Sequence, residues 1–156
     1  MAVPSTATTA QIYATLRAAM LAHVTPGGSR LADFVGATPR IYVAAQPSPP
    51  VFPYLTLTLD RTTTPGFNGY RETALLEVQT VGKPESQRAL VEGAMDVVDD
   101  LMTGYLYAAS EGLMVCRNRR RATVAQFSNP AESSVVAVLG QFDLFLWPRV
   151  LTAKAD

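Results

Sequence analysis

The side chains that could do chemistry are few. The chain has one histidine, His23, and one cysteine, Cys116, so nucleophile–base pairs of the Cys–His or Ser–His kind have almost no material. There is no G-x-S-x-G elbow, phosphate-binding loop, dinucleotide glycine pattern or H-E-x-x-H helix. No Cys/His cluster has zinc spacing. Paired carboxylates remain as acid and base. Asp99 and Asp100, however, are neighbours on a helix, about 100° apart around its axis, and do not converge on one substrate. Glu92, Asp96, Asp99 and Asp100 form an acidic helix face without the ligand loop of a cation site. The sequence points away from an enzyme and from any catalytic, metal or cofactor residue. Cys116 reads as a small buried hydrophobe. His23 reads as a surface or capping residue near a helix C-terminus, where a partial negative charge favours a cation.

Charge segregation is what remains. Thirteen basic and thirteen acidic side chains give a formal net charge of zero. That argues against a dedicated nucleic-acid binder and leaves no long-range repulsion between copies. The one dense run is Arg117-Asn118-Arg119-Arg120-Arg121. It suits gripping phosphates, a solvated strand end, or contact with an acidic surface of another copy, such as the Glu92–Asp100 face. Neutral total charge favours the last over the first. Charged residues are 17% and apolar residues 48%, so some surface is expected to be buried against other copies or partners. A chain of 156 residues is one domain's worth, read here as a single domain with loose termini at 1–8 and 149–156. No signal-peptide pattern is present and no run approaches the ~18–20 apolar residues of a membrane span. Folding in a reducing cytoplasm, without membrane contact, is the expectation.

The elements that position these patches centre on a hairpin at 52–81. Leu55, Leu57 and Leu59 alternate with Tyr54, Thr56 and Thr58; Leu76, Val78 and Thr80 alternate with Leu75, Glu77, Gln79 and Val81. Both runs have the period of strands with one buried face. Pro65, Gly66, Phe67, Asn68 and Gly69 suit a long, exposed hairpin tip. Before the hairpin, Ile12, Leu16, Met20 and Val24 mark a helix capped at Thr8 or Thr9. Leu31, Phe34 and Val35 mark a helical turn, and 40–44 a first strand. Pro47, Pro49, Pro50 and Pro53 make a stiff crossover. After the hairpin a helix is predicted from about Pro84 to Met102, with Leu90, Ala94, Val97, Val98 and Leu101 as its apolar stripe. A loop at 103–111, short strands at 112–117 and 123–127, and a long strand at 134–147 follow. That last strand is apolar on both faces, with Leu139 and Phe145 on the face expected to meet another subunit. The fold class is α+β: a small, mostly antiparallel sheet of four to six strands flanked by two main helices.

This order of elements resembles the tail terminator family of long-tailed phages and related prophage or gene-transfer particles (tail completion, minor tail protein U-like). The residues that carry it are Arg40-Ile41-Tyr42, then Phe52-Pro53-Tyr54-Leu55-Thr56-Leu57 after the Pro-rich link, then Glu72-Thr73-Ala74-Leu75-Leu76-Glu77-Val78-Gln79 feeding a helix, then two closing strands. The resemblance covers about residues 9 to 147. It implies a structural virion protein: a homo-hexameric ring at the head-proximal end of the tail tube that stops tube polymerisation. Its partners would be the tail tube protein and the head–neck connector, with DNA passing through the lumen without sequence-specific binding. Assembly would occur in the host cytoplasm and the mature location would be the tail–neck junction. Two alternatives stay open: another head–tail joining ring component, or a small cytoplasmic ligand-binding domain. The expected contact residues are the tip Pro65–Gly69; Asp96, Asp99 and Asp100; Arg117, Arg119, Arg120 and Arg121; and Leu139 with Phe145.

Overall fold

The computed structural model describes residues 8–37, 40–43, 51–66, 69–83, 86–103, 106–108, 112–126 and 135–148, with backbone only at 63–66, 69–72, 106–108, 112–126 and 146–148. Among the described residues three helices, α1 (Thr9–Ala22), α2 (Ala32–Val35) and α3 (Arg88–Met102), accompany six strands. The strands are β1 (Ile41–Val43), β2 (Tyr54–Gly66), β3 (Gly69–Gly82), β4 (Leu106–Ala108), β5 (Gly112–Gln126) and β6 (Val135–Pro148). They form one sheet in the order β1-β2-β3-β6-β5-β4. Only the β1–β2 pair is parallel; the other four pairs are antiparallel. This is the expected α+β class.

Helix α1 starts in a capping box. Thr8 Oγ1 accepts from the Gln11 N–H at 3.2 Å, and Gln11 Oε1 accepts from the Thr8 N–H at 2.6 Å. Two orphan donors are thereby satisfied, which commits Thr8 to the fold rather than to a loose terminus. Ile12, Leu16 and Met20 are buried as their spacing requires. The helix stops at Ala22, short of the expected Val24, which is 41% exposed. A tight turn intervenes: Gly28, at φ +88°, donates to the Thr25 carbonyl, and Ser29 donates to Thr25 Oγ1.

Helix α3 begins later than predicted, at Arg88. Gln87 folds back on the preceding turn, accepting from the Lys83 N–H at 2.9 Å while its own N–H donates to the Lys83 carbonyl. Pro84 and Glu85, the predicted helix start, lie outside the described residues. The buried face is Val91, Ala94, Met95, Val97, Val98 and Met102, whereas Leu90 and Leu101 are only partly buried at its flank. The stripe is therefore rotated from the predicted one, because Val91, Met95 and Met102 share a face with Ala94 and Val98 at i, i+3, i+4 spacing.

The core lies between the helices and one face of the sheet. Leu55, Leu57, Leu76, Val78, Val138, Phe142 and Leu144 meet Ile12, Leu16, Met20, Leu31 and Val35 and the buried face of α3. Thr80 is the one buried polar side chain among the described residues, and its hydroxyl donates to the Val91 carbonyl at 2.8 Å. Close approach needs small residues at three points. A Cβ on Gly82 would sit 2.8 Å from Val91 Cγ1. A Cβ on Gly140 would sit 2.9 Å from Met95 Sδ, and one on Gly93 would collide with the Phe34 ring. A second, smaller cluster forms on the opposite face, where Tyr54, Val81 and Ala137 pack with Tyr42, Phe52 and Val135. The Arg40 guanidinium donates to the Pro53 and Phe52 carbonyls at 2.8 and 3.4 Å, holding the entry to β2 beside β1. Pro47, Pro49 and Pro50 lie outside the described residues.

Three strand expectations are corrected. The expected tip at 65–69 is strand as far as Gly66 and from Gly69, because the ladder continues from Tyr54↔Val81 to Gly66↔Gly69. The segment predicted as a loop at 103–111 contains β4, paired with β5 through Leu106↔Val115 to Ala108↔Leu113. The two short strands predicted around the arginine run are one strand, β5, in which the ladder to β6 crosses the run by a register shift between Asn118 and Arg120. A bulge lets a pairing continue past an extra residue, which is why the charge run does not end the strand.

Candidate assembly surfaces

The hairpin arm is built by register. Pro65 opposes Tyr70 and Gly66 opposes Gly69, while Phe67 and Asn68 lie outside the described residues. The β3–β6 ladder ends at Glu72↔Leu146, three hairpin pairs short of Gly66↔Gly69. Beyond Glu72 the hairpin continues by itself, while β6 continues with β5 to Pro148↔Gly112. The end of the sheet is thus a fork of two antiparallel arms.

Pro65 sits within a strand because of its parity. The Leu55 N–H donates to the Arg40 carbonyl at 2.9 Å, and the Leu59 N–H to the Tyr13 hydroxyl at 2.7 Å, both on the side of β2 away from β3. Pro65 shares that parity, so its missing N–H removes no bond to β3.

The acidic face of α3 is partly engaged within the chain. Asp100 Oδ2 lies 2.7 Å from His23 Nε2, where His23 caps the end of α1 and donates its N–H to the Ala19 carbonyl. Glu92 Oε1 accepts from Arg88 Nε at 3.4 Å, and the Asp99 carbonyl accepts from both the N–H and the hydroxyl of Thr103. Asp96 and Asp100 are exposed and Asp99 is half-buried.

The arginine run occupies the middle of β5. Arg117 is paired with Asp143, Arg120 with Gln141 and Arg121 with Gly140, and Arg119 falls at the register shift. Arg121 is thereby in register with the glycine over which Met95 of α3 packs. Leu139 and Phe145 are half-buried on the sheet face opposite α3, together with Leu75. Between them Gln141 Nε2 donates to Glu77 Oε1 at 2.9 Å. This pair was not foreseeable from the sequence, because it depends on the β3–β6 register. β6 is central in the sheet, between β3 and β5; Val138, Phe142 and Leu144 on one face pack against the helices, while Leu139 and Phe145 on the other stay half-buried.

The structure therefore brings the Leu139–Phe145 face and the arginine run together on adjacent strands, and places the acidic residues on the helix packed over those strands. The hairpin end stands apart. Among the described residues no group of three His, Cys, Asp or Glu side chains could hold a metal ion, and no helix is long and apolar enough to cross a membrane.

The architecture is a two-layer α+β fold, with one six-stranded mixed sheet and helices on one face. It is similar to a chain in a solved structure described as the virion of a native gene transfer agent particle. The TM-score is 0.67 at 17% identity, covering 85% of this chain and 91% of that one. No protein-family model matches, and no curated protein matches. The likeness is therefore one of fold.

Proposed function

We propose that this chain is a structural virion protein, the ring subunit that closes the head-proximal end of a phage-like tail tube, stops its polymerisation and docks to the head–neck connector. The observation that carries the reading is the fold shared with a gene transfer agent virion chain over most of both lengths. The element order resembling tail terminators supports the finer assignment.

In this reading residues 9–148 form one domain. Copies assemble head to tail, a heterologous contact that closes when the rotation returns to its start. The half-buried Leu139–Phe145 face supplies apolar contact, and the hairpin arm reaches the tube or a neighbouring copy. The Arg117–Arg121 run and the Asp96–Asp100 face act as complementary charge that sets orientation more than affinity. Purified protein mixed with tail tube, followed by light scattering across a salt series, tests this. Wild-type protein binds the tube end as a ring. The Arg119→Glu, Arg120→Glu, Arg121→Glu variant binds more weakly, and adding Asp96→Lys and Asp99→Lys restores part of the loss. Binding unchanged by the arginine reversal removes the charge contact. Rings that attach to a connector and never to a tube would favour another head–tail joining component.

A further inference from the structure

Both lateral edges of the sheet end on short strands. β1 covers β2 only from Leu55 to Leu57, and β4 covers β5 only from Leu113 to Val115. The remainder of each long strand has no strand on its outer side among the described residues. Such an edge presents backbone donors and acceptors that template pairing with another chain. Zero net charge adds no long-range repulsion to prevent it.

Each edge nevertheless carries devices that oppose pairing. On β2 the outward N–H of Leu59 is taken by the Tyr13 hydroxyl, at 2.7 Å. Two residues on, the Arg61 guanidinium donates to Thr9 Oγ1 at 2.9 Å, so the first turns of α1 lie along this edge. Pro65 then occupies an outward-facing position with no N–H to offer. On β5 the register shift between Asn118 and Arg120 interrupts the edge within the densest like-charge run of the chain. A bulge increases the local twist, and charge along an edge disfavours the approach of an identical strand.

We infer that both edges are guarded against strand addition by further copies of the chain, β2 by Tyr13, Thr9 and Pro65, and β5 by the bulge and its arginines. Association is thereby confined to the faces and arms of the sheet. There a contact can close on itself, whereas edge-to-edge pairing of a two-edged sheet extends without limit. The inference concerns solution behaviour of the chain by itself and does not depend on the ring reading.

Amide hydrogen exchange on the full chain reads the first guard directly. The Leu59 amide is protected in the wild type, and Tyr13→Phe accelerates its exchange roughly tenfold, the order expected for one lost hydrogen bond. A Leu59 amide that exchanges as an open amide in the wild type overturns the Tyr13 guard. Light scattering and thioflavin fluorescence then read association. Two variants are first checked for native circular dichroism: Tyr13→Phe with Pro65→Val, and Arg119→Thr with Arg120→Thr and Arg121→Thr. Wild-type protein holds a constant mass over days. Each variant grows in mass and becomes thioflavin-positive. Constant mass in a folded variant overturns the guard at that edge.

Discussion

His23 Nε2 lies 2.7 Å from Asp100 Oδ2, which joins the C-terminal cap of α1 to the last turn of α3. The carboxylate would otherwise oppose the helix dipole at the end of α3, and the imidazole lies beside it there. Both groups are partly exposed, so solvent screens the pair. Asp100→Asn is expected to lower stability by ~0.5 kcal/mol in chemical denaturation, and His23→Gln by a similar amount. The double variant should lose less than the sum. Full additivity would show that the two side chains do not interact in solution.

Gly93 is the contact point of α2 on α3. An alanine ordinarily gains ~1 kcal/mol over glycine inside a helix. Here its Cβ would collide with the Phe34 ring. Overpacking of this kind costs ~1–3 kcal/mol, so Gly93→Ala should destabilise despite its better propensity. Phe34→Leu in the same chain should recover part of the loss. An alanine variant as stable as the wild type would mean that α2 moves aside freely.

Tyr54 sits in the small cluster on the open side of the sheet, and burial pushes its hydroxyl pKa above the ordinary 10.0. Ionisation is therefore easier in the unfolded chain. The stabilising contribution is complete below about pH 10 and is lost as pH rises through the folded value. Denaturation midpoints of wild type and Tyr54→Phe should run parallel below pH 9 and converge toward alkaline pH, as the wild type loses the extra term. Parallel profiles up to pH 11 would show Tyr54 to be open to water.

The hairpin arm can be shortened without touching the core. Replacing 65–70 with Asn-Gly keeps Thr64 opposite Arg71 and supplies a two-residue turn suited to antiparallel strands. Stability should change by less than ~1 kcal/mol, since the removed residues lie beyond the last β3–β6 pair. Tube-end binding should be lost. Retained binding would make the arm a connector only.

Much of this fold could be read from residue type. Alternation at Leu55, Leu57 and Leu59 marked β2, and the spacing of Ile12, Leu16 and Met20 marked α1, because local periodicity reports one buried face directly. The misses arose where a neighbour decides. Pro65 looked like a turn residue, and only its parity on the outer edge of β2 makes it compatible with a strand. The arginine run looked like a break between strands, yet β6 pairs across it by absorbing one extra residue. Leu90 was placed inside and Val91 was not, since both fit helical spacing and the position of the sheet chooses between them. Alternation alone put Leu139 and Phe145 together on one face of β6, as the register has them. The bonds of Asp100 to His23 and of Gln141 to Glu77 required tertiary register.

The central claim is a location, and a reconstruction of the particle that contains this chain tests it most directly. The account predicts a closed ring of six copies at the junction of tail tube and neck, one ring per particle, with the hairpin arms touching a neighbour or the last tube ring. Density for this chain repeated along the tube, or confined to the head, would contradict the account.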